Sequence, residues 1–404
     1  MKFTPSFTVL LNTVLVAVSI AGDVQAVPTG RHDAALSVRE LSDTAVEHID
    51  SPVISNITAR APDPRVVSIP LQAFQLGQRD VGYVGAFRLG AQAQIVPMLI
   101  DSGSSTFWVI PKKDQQKGFD FSGSKDLERT WEIEYGDGDK ASGPVVEDSV
   151  KVGSLDAMAN FPIGVGTTLS DRLTSIPARG TAGFTNGKLE TTTRTGGVTL
   201  VEGLKASGLI PASIVGIQLG RGANLGTAGT GQLTVGGSNP AKFESGVRNS
   251  VTARNTAQGG LWQLTVENSK VSGRLVRTSR GALIDTGNSR ILTTKGDAQL
   301  FHTFPGAFES GGIFGVPCDP TKIPPISFTV GSVEFPINPV DIIGAEIVAE
   351  GVPKGQMCYS LIQDHDDKPG KPPRTTWSLG IPFLKNVYLI LDSDANKITL
   401  AKPA

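Results

Sequence analysis

Short apolar runs and strict alternation, not long stretches of helical period, dominate this chain. Tyr83, Gly85, Phe87 and Leu89 occupy every second position, the spacing that sends side chains to one face of a β-strand. Val96-Pro97-Met98-Leu99-Ile100 and Ala282-Leu283-Ile284 are continuous apolar runs fit for buried strands. One stretch differs. From Val198 to Leu209, the residues Leu200, Val201, Leu204 and Leu209 lie near helical spacing, and Gly208 can end the helix in a left-handed conformation. With 47 Gly and 26 Pro to punctuate it, the pattern predicts many short strands and turns, hence a mainly β protein.

The N-terminus follows another logic. Lys2 precedes an apolar stretch from Phe7 to Ala21, interrupted by Asn12 and Thr13, and Val24-Gln25-Ala26 ends on the small residue a signal peptidase requires. Residues 1–26 are therefore expected to be a signal peptide. The stretch is shorter than the roughly 20 apolar residues of a membrane span. No second candidate follows, and the polar end Ala401-Lys402-Pro403-Ala404 does not suit a lipid-anchor signal, so no membrane anchor is expected. Residues 27–65 are polar, with Pro52, Pro62 and Pro64 and a helical-looking piece from Ala34 to Val46, and they are expected to form a propeptide. The glycosylation acceptor Asn56-Ile57-Thr58 would leave with it.

At 404 residues and 39% hydrophobic, the chain can build two domains. A net charge of −1 without Lys or Arg runs argues against a nucleic-acid partner. In an exported chain, Cys318 and Cys358 favour one disulfide, although spacing alone does not establish the geometry.

The candidate chemistry lies where the two apolar runs end. Asp101-Ser102-Gly103-Ser104-Ser105 closes the first and Asp285-Thr286-Gly287-Asn288-Ser289 the second. In each, glycine permits a tight turn and close approach, and the hydroxyl beside the aspartate can hold carboxylate oxygens. Brought together, the two turns would make a paired-carboxylate site. Other hydrolytic chemistries are poorly supplied. After residue 65 the only histidines are His302 and His365, too few for a three-histidine zinc site, and there is neither a His-Glu-x-x-His helix nor a Gly-x-Ser-x-Gly elbow. His365, within Asp364-His365-Asp366-Asp367, reads as part of a solvated loop. No metal or cofactor is expected.

The stretches from Asp101 to Val109 and from Asp285 to Thr293 resemble the two signatures of pepsin-like aspartic endopeptidases. Tyr135-Gly136-Asp137-Gly138-Asp139-Lys140-Ala141-Ser142-Gly143 is similar to the flap hairpin of that family. Further similarity lies at Tyr83-Val84-Gly85, Gly231-Gln232-Leu233-Thr234-Val235-Gly236-Gly237, Leu261-Trp262-Gln263-Leu264 and Leu379-Gly380. The flap and the single cysteine pair are most similar to those of fungal secreted members. The resemblance implies a bilobal fold, with an N-terminal lobe at 66–244, a C-terminal lobe at 245–404 and a cleft between them. It implies a secreted monomer (a vacuolar location is the alternative) that cleaves protein or peptide substrates at acidic pH. Asp101 and Asp285 would activate a water. Ser102 and Thr286 would lock the two loops, Ser104 would bond Asp101, and Asn288 would stand beside Asp285 where Thr or Ser is usual. Tyr135, Gly136 and Asp137, with Gly103, Gly287 and Asn288, would contact substrate, and Trp108 would hold the Tyr135 hydroxyl. The cysteine pair matches the C-terminal-lobe bridge.

The sequence also departs from the family. The propeptide has no lysine to set between the carboxylates, only Arg31, Arg39, Arg60 and Arg65. Thr181 stands at a normally apolar pocket position, Arg290 replaces an apolar residue, and Ser378 and Ile381 replace an apolar and an acidic one. Asp137 and Asp139, alternating at the flap tip, could read a cationic substrate side chain. A catalytically weak or inactive binding or inhibitor protein is the alternative function, although both aspartates and the flap tyrosine are retained.

Overall fold

A computed structural model describes residues 63–404 apart from 77–78, 113–117, 188–192, 222–229, 349–352 and 366–373. The signal peptide, nearly all of the propeptide and Asn56-Ile57-Thr58 lie outside the described residues. The fold is mainly β, in sheets of 14, 7 and 4 strands. The largest sheet runs through both halves of the chain. At its junction Ile214–Gln218, from the first half, pairs antiparallel with Tyr388–Asp392, from the end of the second.

The alternating stretch lies in the strand Arg79–Leu89, where Tyr83, Phe87 and Leu89 have no exposure. Val84, on the opposite face, is also buried, because a second cluster with Phe74 and Ala178 covers that side. The helical stretch forms Leu200–Ala206. Thr199 caps its start, and Gly208 follows its end at φ +71°, where glycine carries no steric penalty. Cys318 and Cys358 are bonded, with Cα atoms 5.0 Å apart, and they join neighbouring chain segments of the four-stranded sheet.

The two aspartate turns sit in one structural unit used twice. In the first half, the strand Gln94–Asp101 enters the turn and Phe107–Val109 leaves it. Gly180–Gly183 inserts between them, parallel to the first and antiparallel to the second. In the second half, Arg274–Ile284 enters, Ile291–Thr293 leaves, and Trp377–Leu379 inserts in the same two senses. A glycine at the end of the first inserted strand and one just after the second are fitted against their turns. A Cβ at Gly183 would lie 2.5 Å from the Ser104 carbonyl oxygen, and one at Gly380 2.2 Å from that of Asn288. Apolar packing fixes both units from below: Phe87, Phe107 and Phe161 meet edge to face under the first, and Phe301, Phe328 and Trp377 pack together under the second.

Candidate active site

The two turns meet head to head, and their backbones are cross-linked by four reciprocal hydrogen bonds. The Ser102 N–H donates to Thr286 Oγ1 at 2.9 Å and the Thr286 N–H to Ser102 Oγ at 3.0 Å. The same hydroxyls donate onward, Ser102 to the Ile284 carbonyl at 2.9 Å and Thr286 to the Ile100 carbonyl at 2.8 Å. Both side chains have no exposure, so each hydroxyl satisfies one buried donor and one buried acceptor of the opposite half.

This clasp brings the carboxyl groups together. A Cβ at Gly103 would lie 2.6 Å from Asp285 Oδ1, and one at Gly287 2.6 Å from Asp101 Oδ1. Only glycine leaves room at either place. The Gly103 N–H donates to Asp101 Oδ1 at 2.8 Å and the Gly287 N–H to Asp285 Oδ1 at 2.9 Å, and the two carboxyl groups hydrogen-bond each other.

The symmetry stops at the next residue. Ser104 Oγ donates to Asp101 Oδ2 at 2.5 Å. The Asn288 side chain does not supply the matching bond. Its Nδ2 donates to Ser378 Oγ at 2.8 Å, and its Oδ1 accepts from the Arg290 N–H at 3.0 Å. Asn288 supports the Asp285 carboxylate through its backbone N–H alone, beside the Gly287 N–H. Two departures from the family, Asn288 and Ser378, are thus partners.

Burial raises the pKa of Asp101, with the Ser104 and Gly103 hydrogen bonds opposing it. Asp285 is pushed up to about 8, by loss of solvation first and by the Asp101 charge second. Asp285 keeps more surface open than Asp101, and the like charge of Asp101 beside it raises its pKa whatever its burial. The pair therefore takes up one proton more readily than two separate aspartates, and Asp285 is its better-placed site.

Above the pair, the strands Lys125–Glu134 and Lys140–Val152 form a hairpin whose turn carries Tyr135, Gly136, Asp137, Gly138 and Asp139. Trp108 Nε1 donates to Tyr135 Oη at 2.8 Å, and Thr181 also hydrogen-bonds this hydroxyl. Burial and the Asp101 charge push the Tyr135 pKa up, so it stays neutral. A Cβ at Gly136 would meet nothing within 4 Å, which leaves the hairpin backbone open there. Asp137 and Asp139 are not open in the same way: the Arg172 guanidinium pairs with both. Asp137, expected to meet a substrate cation, thus already has a cationic partner within the chain. Sequence reasoning noted Thr181 only as a polar oddity and missed Arg172, because neither contact has a local signature.

The histidines fall elsewhere. His302 Nε2 lies 2.8 Å from Ser360 Oγ, but its Nδ1 faces the Ala298 carbonyl and Ser360 is 1% exposed, so the pair lacks both an orienting carboxylate and access. Burial lowers the His302 pKa to about 4. His365 is buried, its Nε2 donating to the Thr376 carbonyl at 2.8 Å, which corrects the solvated-loop expectation for that residue. Among the described residues there is no cluster of three His, Cys, Asp or Glu suited to a metal, and no helix long and apolar enough to cross a membrane.

Comparison with known proteins agrees with the geometry. The solved aspartic proteinase of Irpex lacteus superposes with a TM-score of 0.67 over 84% of this chain and 98% of its own, at 20% identity, which establishes the shared fold. A probable aspartic-type endopeptidase CTSD of Arthroderma benhamiae is 30% identical over 80% of this chain, which spans 61% of that relative's length. Rhizopuspepsin-1 of Rhizopus niveus is 28% identical over 83% of this chain and 82% of its own. The family model for eukaryotic aspartyl proteases matches residues 82–403. The chain belongs to the eukaryotic aspartyl protease family.

Proposed function

We propose that this chain is an aspartic endopeptidase in which Asp101 and Asp285 jointly activate a water against the peptide bonds of protein substrates at acidic pH. The observation that carries this reading is the shared hydrogen bond between two carboxyl groups on reciprocally clasped turns. Two such groups do not both ionise cheaply, so one is base and the other acid, a division long known for aspartic proteases. Asp101 is better supplied with donors and carries the charge. It takes a proton from the water as the oxygen attacks the carbonyl carbon. Protonated Asp285 donates to the carbonyl oxygen, and the pair later returns a proton to the leaving nitrogen. No covalent intermediate forms. Tyr135, Gly136 and the glycines Gly103 and Gly287 line the place of the peptide.

The two structural units lie one in each proposed lobe, 66–244 and 245–404. Export through residues 1–26 and removal of 27–65 complete the reading, which is of a secreted monomer. Incubating the processed protein with denatured protein at acidic pH should give peptides whose formation a statine-containing inhibitor blocks. Binding without cleavage would instead favour a pepsin-fold binding protein.

A further inference from the structure

The flap tip already holds a cation. Arg172 belongs to the short helix Asp171–Ser175, and its Nε faces Asp139 while its Nη2 faces Asp137. That helix is registered to the flap by backbone contacts. The Lys140 N–H donates to Ser170 Oγ at 2.8 Å and the Ser170 N–H to the Lys140 carbonyl at 3.0 Å. The preceding strand Thr168–Leu169 pairs with Ala141 and Ser142 of the flap. Beside Arg172, Leu173 packs in the same cluster as Trp108, Trp131 and Tyr135. One end of the helix therefore rests on the aromatic floor below the flap, and its neighbouring guanidinium reaches the flap tip.

An isolated surface ion pair contributes little. This one is a single planar fork between two carboxylates of one turn. Asp139 is only 15% exposed, and the Asp137 carboxylate also accepts the Asp139 N–H at 3.1 Å. A guanidinium suits such a two-sided contact because its donors are rigidly disposed.

We propose that Arg172 is a specificity-determining residue: by occupying Asp137 and Asp139 it holds the flap tip and keeps their charge from a cationic substrate side chain beside the scissile bond. This rests on the flap closing over substrate, as in the function proposed above. In the parent, a lysine entering there meets two carboxylates already engaged by one guanidinium, which cancels half of their charge and occupies their oxygens. In Arg172→Met the same lysine meets one or two free carboxylates.

Two measurements test this. The first compares kcat/KM near pH 5 for matched peptides with Lys or norleucine before the cleaved bond. The Lys-to-norleucine ratio should rise about tenfold in Arg172→Met, the size of one partly desolvated ion pair. It should return to the parent value when Asp137→Asn and Asp139→Asn are added. The second follows hydrogen exchange of residues 134–140 in an Asp285→Asn background, where turnover plays no part. Exchange should be faster with Arg172→Met. An unchanged ratio in an active enzyme, or unchanged exchange, overturns the inference. A parent that cleaves neither peptide counts against the proposed function, and the exchange experiment still decides whether Arg172 holds the flap.

Discussion

Asn288 and Ser378 show how one side chain's direction can set the balance of a catalytic pair. Ser104 places a hydroxyl on Asp101, whereas Asn288 spends its amide on Ser378, 90 residues away. Asp285 is left with backbone donors only. Asn288→Ser should restore a hydroxyl within reach of Asp285 and favour its charged form. One hydrogen bond to a charged group is worth about one pKa unit, so the alkaline limb of the kcat/KM profile should move down by about that much. A limb that stays in place would show that Asn288 has no influence on the pair. The carboxylates, glycines and hydroxyls of both turns were legible in the sequence, since each follows from chemistry required at contiguous positions. The turning of Asn288 and the reach of Arg172 were not. Their partners are distant in the chain, and only the folded backbone selects among several acceptors.

At the scale of the element, the strand–turn–strand unit with its inserted third strand is the repeated piece that makes the site. The incoming strands were visible as apolar runs. The inserted strands were not, because Gly180–Gly183 and Trp377–Leu379 are too short for any period to register. Their glycines are nonetheless structural requirements. Gly380→Ala would push a methyl onto the Asn288 and Arg290 carbonyl oxygens, at 2.2 and 2.4 Å, both of them backbone. It should cost about 1–3 kcal/mol in urea unfolding, the usual range for overpacking a tight site. Thr286→Val keeps the shape but leaves the buried Ser102 N–H and Ile100 carbonyl without their partner. A loss of about 1–3 kcal/mol is expected for an orphaned buried polar group, with activity falling too because the turns lose register. A stability within a few tenths of the parent would refute the clasp.

At the scale of the whole molecule, the halves are joined by the continuous sheet and by a polar knot beside it. Lys385, from the second half, pairs with Asp80 of the first and lies 3.7 Å from Asp341, which Arg221 of the first half also holds. Asp80 in turn accepts from Gln75 at 2.9 Å and Tyr83 at 3.2 Å. Lys385→Met should destabilise by about 3 kcal/mol, since it leaves the buried Asp80 carboxylate without its cation while Asp341 keeps Arg221. Nothing in the sequence around Lys385 announces this role, which depends on chain segments some 300 residues apart meeting at one place. The aspartate pair contributes to the molecule's response to pH. Both folded-state pKa values are raised, so their stabilising contribution is complete in acid and is lost as the pH rises toward about 8. Asp285→Asn, which cannot ionise, should therefore melt higher than the parent near neutral pH and gain nothing in acid. Equal melting temperatures near neutral pH would show that the pair is not strained there. The joint action of the two carboxylates is tested most directly by the initial rate of peptide hydrolysis near pH 4 for Asp101→Asn and Asp285→Asn against the parent. Each folded variant should lose about 10³-fold or more in kcat, the scale of general acid–base catalysis. A folded variant of either kind that retains a rate within about tenfold of the parent would contradict the account.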